Sequence, residues 1–455
     1  MFTDFSDYIY SENFPGINRI MTGMRANNQV DIQWELYKVG ETGEHKAIRT
    51  LSSQSLRDVL KGTGKSCDLD AIYKLKAAYL RKQINIKVNQ DSFAVFMNNF
   101  RSRNSFSRVT FECLAEEFER EFNFDLVEAT CELYDQHGLA ALRVQDIEQY
   151  TGKGNEGPML AFSVWNSSDV NGIISAYTDK GDGSRDLLNV GDFMIRAGEC
   201  SRICFPLSHS VGGVILQSNL AQNIPGNYIY NFMEFPQEAL VHAGRKKLEP
   251  SCFLPSSGEI VVDNEDQGFH VFASETKESL LGKLLQDKMI VEDSGVDFLT
   301  DNAPGWVSSV YIDAYGFPVR SFLGKKTKNS QARAEWKTEI PEQGEYGVSI
   351  YKLDLDFRYQ RQADSVAYYY TLEQGDYRAD IVMSFLRNGL QNIYLSDNLG
   401  RKEEYSYQQQ MPQCGWIQVG VLPLVKGKVK LILHDKGAFP EQLVFADAVK
   451  WVKKS

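Results

Sequence analysis

The sequence predicts a multidomain α+β chain: an all-α segment at the N-terminus, followed by two β-sandwich domains. Three observations carry that expectation. Apolar residues recur at helical spacing up to about residue 145. A Gly-rich polar break, Thr151–Pro158, follows, and beyond it the apolar period drops from 3.6 to 2. Strand-length apolar runs separated by turn clusters then continue to the C-terminus. The expected domains are residues 1–150, 151–255 and 256–455.

Within the helical segment, a first helix begins at Asp68 or Asp70 and turns Ile72, Leu75, Tyr79 and Leu80 inward. Phe93, Phe96, Met97 and Phe100 fall at i, i+3, i+4 and i+7, and Phe111, Leu114, Ala115, Phe118 and Phe122 repeat the pattern one helix later. Thr110 is placed to cap that later helix, with Glu112, Glu116 and Glu117 near its positive end. In the second segment Leu160, Phe162 and Val164 alternate with Ala161, Ser163 and Trp165, and an NSSDVNG turn follows. Its VWNSSDVNGII and SNLAQNIPG phrases suit an immunoglobulin-like or fibronectin-like domain. The third segment opens on EIVVDNED; Leu280–Met289 reads as a short helix or a connector, and the rest as strands such as SVAYYYTL and KVKLILHD.

Composition narrows the function classes. With 43% hydrophobic and 24% charged residues, the chain reads as globular, not disordered. A net charge of −11 argues against a nucleic-acid partner, which needs clustered Lys and Arg. No apolar stretch approaches the roughly 20 residues a transmembrane helix requires, and Met1–Tyr10 lacks a basic n-region, so no signal peptide is expected there. Seven scattered cysteines are not a disulfide framework. Cys200 and Cys204 are the one close pair; with only His209 nearby they read as structural thiols before a metal site.

Two resemblances add to this reading. The succession DAIYKLKAAYLRKQI, SFAVFMNNFRSRNSFSRVTFECLAEEFEREFNFDL and CELYDQHGLAALRV, between Leu69 and Val144, is similar to the helical part of the aminopeptidase N-like gluzincin metallopeptidases. The resemblance places Tyr73 at the position of the family's oxyanion-stabilising tyrosine; the alternative is a tyrosine packed on a helix face, and Lys74, Leu75 and Lys76 depart from the family's Lys-Gly there. The zinc helix has no counterpart. A gluzincin holds its metal with His-Glu-x-x-His, and among His45, His137, His209, His242, His270 and His434 no two are four apart. Glu12 lies roughly where the family's glutamate ligand would be, and one carboxylate does not hold a catalytic zinc. No cofactor is expected in this chain, and zinc only if an upstream segment supplies ligands. On this reading the chain begins downstream of a zinc helix, as a fragment or a degenerate descendant.

The second resemblance rests on AYGFPVRSFLGKK, QARAEWKTEIPEQGEYGVSIY, GWIQVGVLPLVKGKVKLIL and VFADAVKWV, between Gly305 and Val452. These are similar to the golvesin C-terminal-like module, which implies a jelly-roll β-sandwich of secreted bacterial proteins with a role in binding. Trp416, Gly420, Gly427, Ala446, Asp447, Ala448 and Val449 carry the end of the match, while Tyr359–Tyr407 shows none.

Other constellations are weaker. Asp179–Asp186 (DKGDGSRD) does not follow EF-hand spacing and reads as a polar turn, and Asp263–Asp266 (DNED) reads as a solvated turn or a calcium-binding loop. Tyr368 and Tyr370 share one face of a strand, as a sugar-stacking pair or as packing residues. No Gly-x-Ser-x-Gly elbow and no Walker loop occurs. The favoured expectation is the non-catalytic C-terminal portion of an exported or membrane-anchored metallopeptidase-like protein, its last β-sandwich acting in binding. The alternative is a complete glycan-binding or adhesion protein of the cell envelope. Glycan or an envelope protein is the expected partner in both, with a periplasmic or envelope location implied by resemblance.

Overall fold

The computed structural model describes residues 9–24, 39–62, 69–104, 107–151, 157–179, 187–232, 237–238, 242–256, 258–272, 290–292, 305–327, 332–355, 363–387, 391–407 and 414–454. Cys67, the 280–289 segment and residues 180–186 of the polar turn lie outside them. The described part is rich in strands, with its α-helices confined to the first third of the chain. It divides into two compact units, one comprising Met1–Tyr37 and Thr42–Leu254, the other Lys38–Glu41 and Pro255–Ser455.

In the first unit seven described helices precede the main strands: α1 (Ile17–Gly23), α2 (Gly43–Leu51), α3 (Leu56–Leu60), α4 (Leu69–Lys87), α5 (Gln90–Arg103), α6 (Phe111–Phe122) and α7 (Leu126–Asp135). Their starts are chemically marked. Thr42 accepts from the His45 amide and His45 Nδ1 accepts from the Thr42 amide, closing a capping box on α2. Thr110 caps α6 through the Cys113 amide, as its position predicts. Asn123, at φ 51, ends that helix, and Asp125 caps α7 two residues on. The aromatic spacing seen in sequence becomes an interlocked set: Phe118 meets Phe93, Phe96, Phe122 and Phe124 at ring separations between 4.8 and 5.9 Å.

Helical structure ends at Asp135, earlier than the expected residue 145, because Gly138 at φ 76 turns the chain and LRVQDIEQYT takes up strand pairing. That stretch is β1 (Leu142–Thr151), the antiparallel partner of β2 (Pro158–Asn166). The unit continues through β3 (Gly172–Asp179), β4 (Leu187–Ile195), β5 (Cys200–Pro206), β6 (Gly213–Asn219), β7 (Asn227–Asn231) and β8 (Gly244–Lys247). One sheet has the order Gln237–Glu238, β1, β2, β5, β8, and the other β4, β3, β6, β7. Leu142, Phe162 and Ile203 from the first sheet and Ile174, Ile195 and Leu216 from the second join one buried cluster, so the two sheets enclose a shared core.

Helix α4 rests on the second of these sheets. Lys82 Nζ lies 3.0 Å from Asp192 Oδ1 on β4, and the same carboxylate accepts from Ser175 and Asn189. Tyr79 donates to the Asn171 carbonyl at 3.3 Å. Helices and strands up to Leu254 therefore belong to one packed unit.

Among its described residues the second unit's regular elements are strands: β9 (Glu259–Val262), β10 (Phe269–Phe272), β11 (Trp306–Val310), β12 (Ser321–Lys326), β13 (Arg333–Ile340), β14 (Gly344–Lys352), β15 (Ser365–Gln374), β16 (Tyr377–Leu386), β17 (Gln391–Asp397), β18 (Lys402–Tyr407), β19 (Gly415–Leu424), β20 (Gly427–His434), β21 (Leu443–Ala446) and β22 (Val449–Lys453). A seven-stranded sheet runs β10-β13-β20-β15-β16-β17-β18; two four-stranded sheets run β9-β22-β14-β19 and Ile290–Glu292-β11-β12-β21. The inner face of the large sheet is apolar and touches the others at close range. Trp336 Nε1 donates to the Asp447 carbonyl, and a Cβ on Gly420 would lie 2.5 Å from Leu395 Cδ1. Trp306, Trp336 and Trp451 are fully enclosed. Among the described residues, no helix is long and apolar enough to cross a membrane.

Candidate functional site

Tyr73 sits on α4 inside the helical core, 7% exposed. Its hydroxyl lies 3.5 Å from the Pro15 carbonyl, which accepts a shorter bond from Tyr134 at 2.9 Å. Gly16, at φ 79, leaves room for the ring: a Cβ there would stand 2.2 Å from Tyr73 Oη. Burial pushes this phenol above its ordinary value, and the Arg19 guanidinium 5.4 Å from the ring opposes that. Glu12 is exposed. Cys200 and Cys204 are buried on β5, where desolvation raises both thiols. Among the described residues no group of three or more His, Cys, Asp or Glu side chains is arranged to hold a metal ion.

Tyr368 and Tyr370 share a face of β15, with ring planes 15° apart, and that face is the inner one. They are 5% and 4% exposed, and Tyr368 packs edge-on against Phe385. The tyrosine between them points the other way. Tyr369 belongs to a rung that crosses the outer face of all seven strands: Phe272, Arg333, His434, Tyr369, Val382, Tyr394 and Glu404. Phe272 and Tyr369 are partly exposed, and Tyr394 is 43% exposed.

Polar groups flank these rings on the same rung and the next ones. Arg333 and Lys337 both lie within 3 Å of the buried Glu335 carboxylate and over the Phe272 ring. Lys436 Nζ stands 4.4 Å from the Tyr369 centroid. Thr371 donates to Asp380 at 2.8 Å, which leaves its oxygen to accept from His434 Nε2 at 2.9 Å. Chain connectivity thus assigns the His434 proton to Nε2. Burial, then Arg378, pulls that imidazole below its usual value, so it is neutral at pH 7. At one end of the face, Lys337, Glu339, Glu373, Gly375, Lys428 and Lys430 line a cavity of about 620 Å³. The face offers fixed donors, acceptors and partly exposed rings, a set suited to holding a polar ring compound.

The signal for this face was present in sequence. Val366, Tyr368, Tyr370 and Leu372 form the apolar phase of β15, and Tyr369, Thr371 and Glu373 the polar one. The phase, not the run of tyrosines, says which ring looks outward.

No protein-family model matches the chain, and no curated protein matches it. Among solved structures, it overlaps a Bacteroides uniformis beta-glucuronidase at 12% identity and TM-score 0.19, over 70% of this chain and 30% of that one. A calcium-binding mutant of Bacteroides uniformis beta-glucuronidase 2 overlaps at 10% identity and TM-score 0.18, with the same coverages. A fructofuranosidase from Schwanniomyces occidentalis complexed with fructose overlaps at 8% identity and TM-score 0.14, over 68% of this chain and 70% of that one. Scores this low assign neither a fold nor an activity.

Proposed function

We propose that the chain is a non-catalytic binding protein whose second unit holds glycan on the outer face of its seven-stranded sheet. The observation that carries this reading is the rung through Phe272, Tyr369 and Tyr394, in which Arg333 and His434 lie between the partly exposed rings of Phe272 and Tyr369. Flat aromatic faces stack on pyranose C–H surfaces, while the neighbouring charged and imidazole groups read ring hydroxyls. The golvesin-like residues of the same unit support a binding role in an exported bacterial protein, and the peptidase-like helices, lacking a His-Glu-x-x-His, support a scaffold descended from an enzyme. A jelly roll for the second unit and an immunoglobulin-like domain for residues 151–255 belong to the same proposal.

The test is binding of the purified chain to a glycan array and to cell-wall fractions. Tyr369→Ala combined with Tyr394→Ala should reduce binding to a retained glycan by about tenfold or more, as expected for stacking contacts of order 1 kcal/mol each. A chain that retains no glycan, or one whose binding survives both substitutions, refutes the reading.

A further inference from the structure

Two aspartates of the second unit are buried side by side, and among the described residues no cationic side chain pairs with either. Asp447 lies at the corner between β21 and β22 and is 3% exposed; Asp263 follows β9 and is 7% exposed. The loop between β11 and β12 runs past both. Asp447 Oδ2 accepts from the Tyr315 amide at 3.0 Å, and Asp263 Oδ2 lies 2.8 Å from the point where a Cβ on Gly316 would stand. Gly316, at φ 124, has no Cβ, and one there would also stand 2.2 Å from the Val319 carbonyl oxygen, so the main chain packs closely beside the Asp263 carboxylate.

Each carboxylate has one oxygen fixed by a backbone N–H and one that is not. Asp263 Oδ1 accepts from the Asn264 amide at 2.8 Å. Asp447 Oδ1 is sealed from solvent and has no hydrogen-bond partner. No Lys, Arg or His forms an ion pair with either residue among the described residues, whereas Glu265 and Asp266 stand close enough to Asp263 to disfavour its charge. Burial and these neighbours push Asp263 up to about 8, and burial with Asp263 pushes Asp447 well above the carboxylate range. An orphaned, fully buried carboxylate oxygen such as Asp447 Oδ1 is costly, and a cation beside it offsets that cost.

We propose that a hard divalent cation, calcium by its oxygen-only donors, binds between the Asp263 and Asp447 carboxylates, its remaining ligands being main-chain carbonyls or water. Two carboxylates neutralise the ion's charge, and calcium tolerates the irregular geometry that a loop and a strand corner supply. The ion would tie β9, the β11–β12 loop and the β21–β22 corner together. The site is separate from the outer-face rings, so its test does not depend on glycan binding.

The probes are terbium and calcium ions on the full chain after treatment with EGTA. Tyr315 packs 5.4 Å from Tyr351 and 5.0 Å from Trp416, so terbium bound at its backbone should luminesce on aromatic excitation. Calcium should quench that signal by competition and raise the melting temperature by several degrees. Asp447→Asn and, separately, Asp263→Asn should each abolish both effects; using two variants guards against one that fails to fold. Absence of sensitised terbium emission from the folded wild-type chain, together with a melting temperature indifferent to calcium, overturns the proposal. So does an Asp447→Asn variant that is more stable than wild type and still responds to calcium, because a proton shared by the pair then explains the burial.

Discussion

The ammonium of Lys76 lies inside the helical core, 1% exposed, and donates to the Leu133 carbonyl in the last turn of α7 at 2.7 Å. One carbonyl compensates only part of its lost hydration, so burial lowers its pKa from 10.5 to about 8. The sign follows directly. Between those two values the unfolded chain binds the proton that the folded chain has released, so stability rises with pH across that window. From pH 7.5 to 9.5 Lys76 should add about 2 kcal/mol. Lys76→Met should remove that rise in urea titrations, and an unchanged slope would show that the amine is hydrated. Nothing in DAIYKLKAAYLRKQI marks this lysine as the buried one, since Lys74 on the same helix is exposed. Likewise Tyr73 was visible in sequence as a notable tyrosine, but its closeness to Pro15 and Gly16 spans 58 residues of separation and has no local signature.

At the scale of elements, Asp192 joins helix and sheet. Its carboxylate is 6% exposed and takes Lys82 from α4 with Ser175 and Asn189 from the strands. Asp192→Ala should cost about 3 kcal/mol by stranding a largely buried ammonium, while Asp192→Leu with Lys82→Met should cost much less. A chemical-denaturation double-mutant cycle measures the difference; equal costs would mean the pair is independent of helix docking. The helices themselves were legible, because Phe93, Phe100, Phe111 and Phe118 obey a local period and Thr110 a local capping rule. The end of the helical segment was less so: LRVQDIEQYT becomes strand through pairing with Pro158–Asn166, a partner that helical periodicity does not register. On β15, alternation separated two faces, but only the packing of Tyr368 against Phe385 fixes the direction of each.

For the molecule as a whole, the division at Leu254–Pro255 makes the second unit a candidate for autonomous folding. Residues 255–455 expressed alone should give a strand-type circular dichroism spectrum and one cooperative urea transition, with a modest loss from the missing Gly40–Val310 backbone bond. A fragment that stays unfolded would show that the second unit needs residues before Pro255, Lys38–Glu41 among them, for its stability.

By itself the sequence determined the local and periodic features of this protein: helices first, strands after, and turns at Gly and Asn. Those depend on neighbours within a few positions, and composition and spacing encode them directly. Tertiary structure decided what depends on partners distant in the chain. It chose which of three adjacent tyrosines faces outward, brought Asp263 against Asp447 across 184 positions, and set a lysine in the helical core. Burial, and hence the energy of a charge or a ring, is a property of the packed whole, so no short window of sequence contains it.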